Sequence, residues 1–321
     1  MHRASLIRPL ALAAFLLCFV VVVLGAYVRL SAAGLGCPDW PGCYGQLTPA
    51  GAIAAAEPSG GTLDGVPVEA GKAWKEMIHR YAAATLGVLI IIIVTLAIRF
   101  RQIRVISLPY AIGLLALVVT QGILGMLTVT QLLQPIIVTA HLLLGLTTLS
   151  ALWWLVLTIG RRQTSAWRSG TAFLGSSLQL TRQLALLGLL ALALQIALGG
   201  WTSSHYAATA CPDFPRCQGD WWPPMQGNVA IHFMHRLGAL FATGMLLLSA
   251  VRVLRSRSDA FAHRAALAVL LALALQLVIG VTMVLGGFPL GLATAHNAGA
   301  AVLLLAVVAL NRSLRPTWKA S

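Results

Sequence analysis

Eight separate runs of about twenty apolar residues, each bounded by charge, glycine or proline, limit this chain to very few folds. A bilayer offers no water to backbone amides and carbonyls, so runs of that length persist there as helices that satisfy their own polar groups. The runs fall at 9–29, 78–98, 107–129, 136–159, 184–204, 230–251, 265–287 and 291–310. With 59% of its 321 residues hydrophobic and only 9% charged, the chain has too little polar surface to coat a soluble core. The expected fold class is an all-α polytopic membrane protein. The first run follows Arg3 and Arg8 but exceeds the apolar core of a secretory signal, roughly 7–15 residues, and resembles the fifth run, so it counts as a span.

A net charge of +14 invites a polyanion, but the positions of the charges exclude nucleic acid. Arg3 and Arg8, then Arg99, Arg101 and Arg104, then Arg161, Arg162, Arg168 and Arg182, then Arg252, Arg255, Arg257 and Arg264, then Arg312, Arg315 and Lys319 all fall on one side of the spans. Seven of the eight acidic residues fall on the other, Asp259 being the exception. By the positive-inside rule the basic side is the cytoplasm, both termini are cytoplasmic, and the excess charge meets anionic lipid.

The chain also repeats itself. "CPDWPGC" (37–43) returns as "CPDFPRC" (211–217), within an ungapped match of 24–43 to 198–217. In the same order "EMIHR" (76–80) answers "HFMHR" (232–236), "QGILG" (121–125) answers "QLVIG" (276–280), and "TAH" occurs at 139–141 and 294–296. This order predicts two four-helix bundles, 1–160 and 184–321, joined by a cytoplasmic linker at 161–183. Because each half has an even number of spans, both enter from the same side as parallel repeats.

Both cysteine pairs lie in outward-facing loops, where oxidation is favoured. A structural disulfide in each loop, Cys37–Cys43 and Cys211–Cys217, is the expectation, with thiol redox chemistry as the alternative. Zinc is disfavoured because CxxC spacing is absent. Cys18, inside the first span, reads as a packed thiol.

Four histidines recur at matched positions near the outer ends of the even-numbered spans: His79 and His141 in the first half, His235 and His296 in the second. One such histidine would be an ordinary interfacial residue. Two symmetric pairs of costly intramembrane groups point to metal or cofactor ligation, and facing imidazoles suit the two axial positions of a haem iron inside a four-helix bundle. Glu76 precedes His79 by one helical turn, where it either pairs with Lys72 or acts on charge or protons beside a cofactor. The second half carries His232 at that place, so the halves share a binding mode but differ in chemistry. Arg80 and Arg236 each follow a histidine and could pair with haem propionates or snorkel to the interface. Gln121 and Gln276 read as buried amides, for interhelical bonding or cofactor contact.

Two four-helix repeats, "CPDWPGCYG" after the first span, "ExxHR" on the second, "TAH" opening the fourth and "HxxHR" in the second half resemble the haem A synthase family over essentially the whole chain. The resemblance implies an enzyme of the bacterial inner membrane, its cysteine loops periplasmic, that oxidises a methyl group of haem O to the formyl group of haem A for cytochrome oxidase. It implies haem b, with its iron, as cofactor on His235 and His296, substrate haem flanked by His79 and His141, and Glu76 as the catalytic residue. Haem O synthase and an electron donor enter as partners, and a homo-oligomer is left open. The resemblance, not the spacing, assigns which half holds the permanent haem. A di-haem b-type electron-transfer protein is the rival reading and a transporter a more distant one. Residues 44–71, rich in Ala, Gly and Pro, exceed a minimal version of the family, and some members lack the cysteine pairs.

Overall fold

Every apolar run is met by a helix, and several helices outrun it. The computed structural model describes residues 7–63, 65–99, 106–163, 175–256 and 258–315. Its elements in chain order begin with α1 (Ile7–Leu30), α2 (Pro49–Ala56), a hairpin of β1 (Thr62–Leu63) and β2 (Val66–Pro67), α3 (Ala70–Arg99) and α4 (Leu108–Thr130). They continue with α5 (Pro135–Gln163), α6 (Gly175–Ser204), α7 (Gly227–Leu254), α8 (Ala260–Leu285) and α9 (Leu290–Ser313). All but α2 of these helices are long and apolar enough to cross a membrane. The chain is a multi-pass, all-helical protein whose sole sheet among the described residues is the two-residue hairpin.

The helix ends follow local chemistry. α3 starts at Ala70 rather than at 78, because Lys72, Lys75 and Glu76 end the apolar run without ending the helix; Ala, Lys and Glu are good helix formers. Asp259, the acidic residue among the arginines, caps α8: its carboxylate accepts from the Ala262 amide at 2.8 Å. α6 starts at Gly175, so helix enters both ends of the expected linker 161–183. Residues 164–174 of that linker, and Arg3, Arg101, Arg104, Arg168, Arg257 and Lys319 of the basic clusters, lie outside the described residues.

The chain divides into two compact units, 1–152 and 153–321, the division falling within α5. In the first, α1 packs on α3 and α3 on α4. The Tyr110 hydroxyl donates to the Ala151 carbonyl, tying α4 to α5. Ile90, Ile93 and Leu114 fill its interior. In the second, α6, α7, α8 and α9 pack in succession and α9 returns to α6, closing a four-helix ring around Leu246, Val269 and Val307. The end of α5 joins this unit through Trp153 Nε1, which donates to the Leu305 carbonyl at 3.0 Å. Large side chains such as Leu16, Val88, Leu240 and Leu271 are exposed, as lipid-facing positions must be.

The long segment after the first cysteine pair is built. Thr48 caps α2, its hydroxyl accepting from the Gly51 amide at 3.2 Å, and Pro49 opens the helix where no amide is needed. Tyr44 donates through its hydroxyl to the Pro67 carbonyl at 3.0 Å, and Tyr81 to the Leu47 carbonyl at 2.8 Å, so the segment is laced to the loop and to α3.

Candidate functional site

Each cysteine loop is a compact knot resting on one helix. The pairs Cys37–Cys43 and Cys211–Cys217 form disulfides, all four residues at 0% exposure. The first packs on Ala73 and Met77 of α3, the second on Phe233 of α7. Within each loop an aspartate receives two amides in a row. Asp39 accepts from Tyr44 at 2.5 Å and Gly45 at 2.9 Å; Asp213 accepts from Gln218 at 2.7 Å and Gly219 at 2.9 Å. Those amides hold the Asp213 carboxyl below its ordinary value. The first loop approaches its helix more closely. A Cβ on Gly36 would stand 2.6 Å from the Lys72 carbonyl carbon, so only glycine fits there; Ala210 holds the aligned position in the second loop.

Arg80 and Arg236 fasten these loops. Arg80 Nη1 donates to the carbonyls of Asp39 at 3.0 Å and Gly42 at 2.5 Å, and Arg236 donates to the carbonyls of Arg216 and Cys211, both at 2.8 Å. The first unit adds a buried anion. Arg80 Nη2 pairs with Glu76 Oε1 at 2.6 Å, while Glu76 Oε2 accepts the Cys37 amide at 2.9 Å. Glu76 is 4% exposed, so its charge is neutralised inside the protein by one guanidinium and one loop amide. Lys72 pairs instead with Glu69, at 2.8 Å. His232, at the place aligned with Glu76, is equally buried, its ring edge toward Phe288 with centroids 6.2 Å apart.

The four histidines are half-buried, and each ring lies against a glycine of the neighbouring helix. A Cβ would stand 2.8 Å from His79 Cε1 at Gly25, 3.6 Å from His141 Cε1 at Gly125, and 3.0 Å from the Cε1 of His235 and of His296 at Gly199 and Gly280. His141 lies within electrostatic reach of His79, and His235 of His296. The glutamines reach across to them. Gln121 and Gln276 donate to the His141 and His296 carbonyls at 3.0 Å. Gln195, which the sequence reading did not single out, does the same for His235 at 3.0 Å and also meets its Nδ1 at 3.0 Å. A repeated Gln-x-x-x-Gly, at 121–125, 195–199 and 276–280, is the signal that marks it.

This donor set fits haem. Each unit offers a matched pair of imidazoles in mutual reach, with His232 a third beside His235 in the second, and no cluster of three or more His, Cys, Asp or Glu among the described residues that would cage a bare ion. The Nδ1 atoms of His79 and His141 are buried without a hydrogen-bond partner, while the His79 ring also meets the Val21 backbone of the neighbouring helix. What the arrangement can do chemically differs between units: both can hold a flat, iron-centred ring, but only the first sets a carboxylate one turn from one of the paired histidines.

Residues 8–308 match the family described as cytochrome oxidase assembly protein (COX15-CtaA). The chain is 41% identical over 317 aligned residues to a protein of Shewanella oneidensis named haem A synthase, covering 91% of this chain and 92% of that one. It is 27% identical to a haem A synthase of Halalkalibacterium halodurans, covering 86% of each chain. A haem A synthase of Symbiobacterium thermophilum is 28% identical over 75% of this chain and 73% of its own.

Proposed function

We propose, since this chain belongs to the cytochrome oxidase assembly protein family, that it is an enzyme that oxidises a methyl group of haem O to the formyl group of haem A. The observation that carries this reading is an asymmetry: a matched pair of imidazoles in each unit, but a buried, ion-paired carboxylate, Glu76, beside the first pair where the second has His232. An electron-transfer protein would need the histidines and would have no use for Glu76.

In this reading His235 and His296 hold a resident haem b, and His79 and His141 flank the substrate haem. The two units are parallel repeats, both termini lie in the cytoplasm of a bacterial cell, and the cysteine loops face outward from its inner membrane; the segregated charges support that orientation. Bound haem iron supplies the oxidising power that no side chain has. The chain's own part is positional. Two hydroxylations, each inserting one oxygen atom and removing two electrons at the expense of an external oxidant that also supplies the oxygen, would turn the methyl group into a gem-diol, which loses water to leave the aldehyde. Glu76, fixed by Arg80 and the Cys37 amide, keeps negative charge beside that carbon to stabilise positive charge or accept a proton; each of its oxygens makes one bond here and retains a second lone pair. The disulfide loop covers the carboxylate, and its contact through Cys37 makes loop order a condition of Glu76 order. Haem O synthase and an electron donor complete the pathway as partners.

The test is expression in cells that make haem O and lack this activity, followed by chromatography of extracted pigments with mass detection. Haem A appearing only when the chain is expressed supports the reading; its absence at normal protein levels refutes it.

A further inference from the structure

Three of the four histidines are braced by a glutamine, and one is not. Gln121, Gln195 and Gln276 each stand four residues before the glycine that faces a histidine ring, and each donates to that histidine's carbonyl at 3.0 Å. Each carboxamide also needs room beside the braced histidine. Gly145, Gly238 and Gly299, three or four residues after His141, His235 and His296, provide it; at Gly238 and Gly299 a Cβ would collide with the glutamine Oε1. Around His79 both halves of the device are missing: Val21 stands four residues before Gly25, and Ala82 three residues after His79.

The bracing is also graded. His235 and His296 are held at carbonyl and ring, the glutamine nitrogen lying 3.0 Å from His235 Nδ1 and 3.3 Å from both ring nitrogens of His296. His141 is held at its carbonyl, its Nδ1 unpartnered. The His79 Nδ1 is likewise unpartnered, its ring meets the Val21 backbone, and among the described residues no glutamine donates to its carbonyl. With Nε2 ligated, Nδ1 carries the proton; the carboxamide, turned over, accepts that proton through Oε1 and gives up its donation to the histidine carbonyl, so at His235 and His296 the brace passes from the carbonyl to the ring.

From this geometry we infer that the glutamine braces set haem residence: the doubly braced pair retains its haem, and His79, unbraced, is the imidazole that yields so that one haem can leave and the next enter. The inference rests on the proposed function, since an enzyme whose substrate and product are both haems must release one of them every turnover. Gln195, Gln276, Val21 and Ala82 are then positioning residues whose exchange alters retention.

The experiment uses the purified full-length protein with its native pigments and follows transfer of each haem to excess apomyoglobin by absorbance. The wild type releases two pools, haem b slowly and haem O or haem A faster. Replacing Gln195→Val with Gly238→Ala should speed haem b loss at least tenfold, and installing the brace with Val21→Gln and Ala82→Gly should slow loss of the other pool by a similar factor, about 1.4 kcal/mol of barrier each. Electron paramagnetic resonance of the haem b pool should change in the first variant, reporting a reoriented imidazole, and stay constant in the second. If the first variant does not accumulate, the second decides alone. Rates within twofold of wild type, in folded protein that carries haem b and haem O or haem A, overturn the inference and leave the proposed function standing; protein lacking haem O and haem A overturns the function instead.

Discussion

Removing Arg80 should be far more damaging than removing its counterpart Arg236. Both guanidinium groups hold loop carbonyls, but only Arg80 also neutralises a buried carboxylate, Glu76, which is 4% exposed. Arg80→Met leaves that anion uncompensated, and breaking one side of a buried pair typically costs about 3–5 kcal/mol. Arg236→Met forfeits two charge-assisted bonds to carbonyls near the surface, about 1–2 kcal/mol. At about 2–4 °C per kcal/mol for a unit of this size, the Arg80 variant should melt roughly 6–20 °C below wild type. The assay is apparent melting in one detergent at one scan rate, since unfolding of such a protein is read as a rate. Adding Glu76→Gln to Arg80→Met should restore about 2 kcal/mol, because the uncompensated charge is gone. Equal losses for the two arginine variants, or a double variant that melts below Arg80→Met, would refute this electrostatic reasoning.

Glu76→Gln alone should lower the rate of haem A formation by about 10²–10⁴-fold, the usual weight of a positioned acid–base group, and a normal rate would dismiss that role. Replacing Cys211 and Cys217 by serine opens a loop with a sequence separation of 6. It should remove about 2 kcal/mol of stability while leaving most of the turnover; normal melting with abolished turnover would contradict it. Asp213 binds loop amides as the carboxylate, so its contribution is complete above its unfolded value near 3.8 and is lost as pH falls through the lower folded value. A ¹³C titration of its carboxyl should therefore have a midpoint below 3.8, and a midpoint at or above it would remove the argument.

The spans are legible in sequence because a bilayer admits one solution for a long apolar run, while the run says nothing about helix that continues into water. That is why α3, whose first turns carry Lys72, Lys75 and Glu76, begins before its run, and why α2 goes unread although Thr48 and Pro49 spell its start. The choice of partner for Glu76 is equally hidden. Lys72 and Arg80 both stand four residues away, and the decision is made by Glu69, which takes the lysine, and by a loop folding over from residues 37–43 to occupy the arginine. The sequence sets Arg80 and Arg236 beside a histidine and offers propionates or the interface as their partners, but it does not show the loop carbonyls to which the structure fastens both side chains. Histidines written in matched places are easy to see; the glutamines that brace three of them are visible only once Gln-x-x-x-Gly is read together with the neighbouring helix.

The most direct measurement is the haem content of the purified protein, separated by chromatography with mass detection, beside His235→Ala and His79→Ala variants. The account predicts haem b together with haem O or haem A in the wild type, loss of haem b on changing His235, and retention of haem b with loss of the other pigment on changing His79. Two equivalents of haem b in the wild type, or loss of haem b from the His79 variant alone, would contradict it.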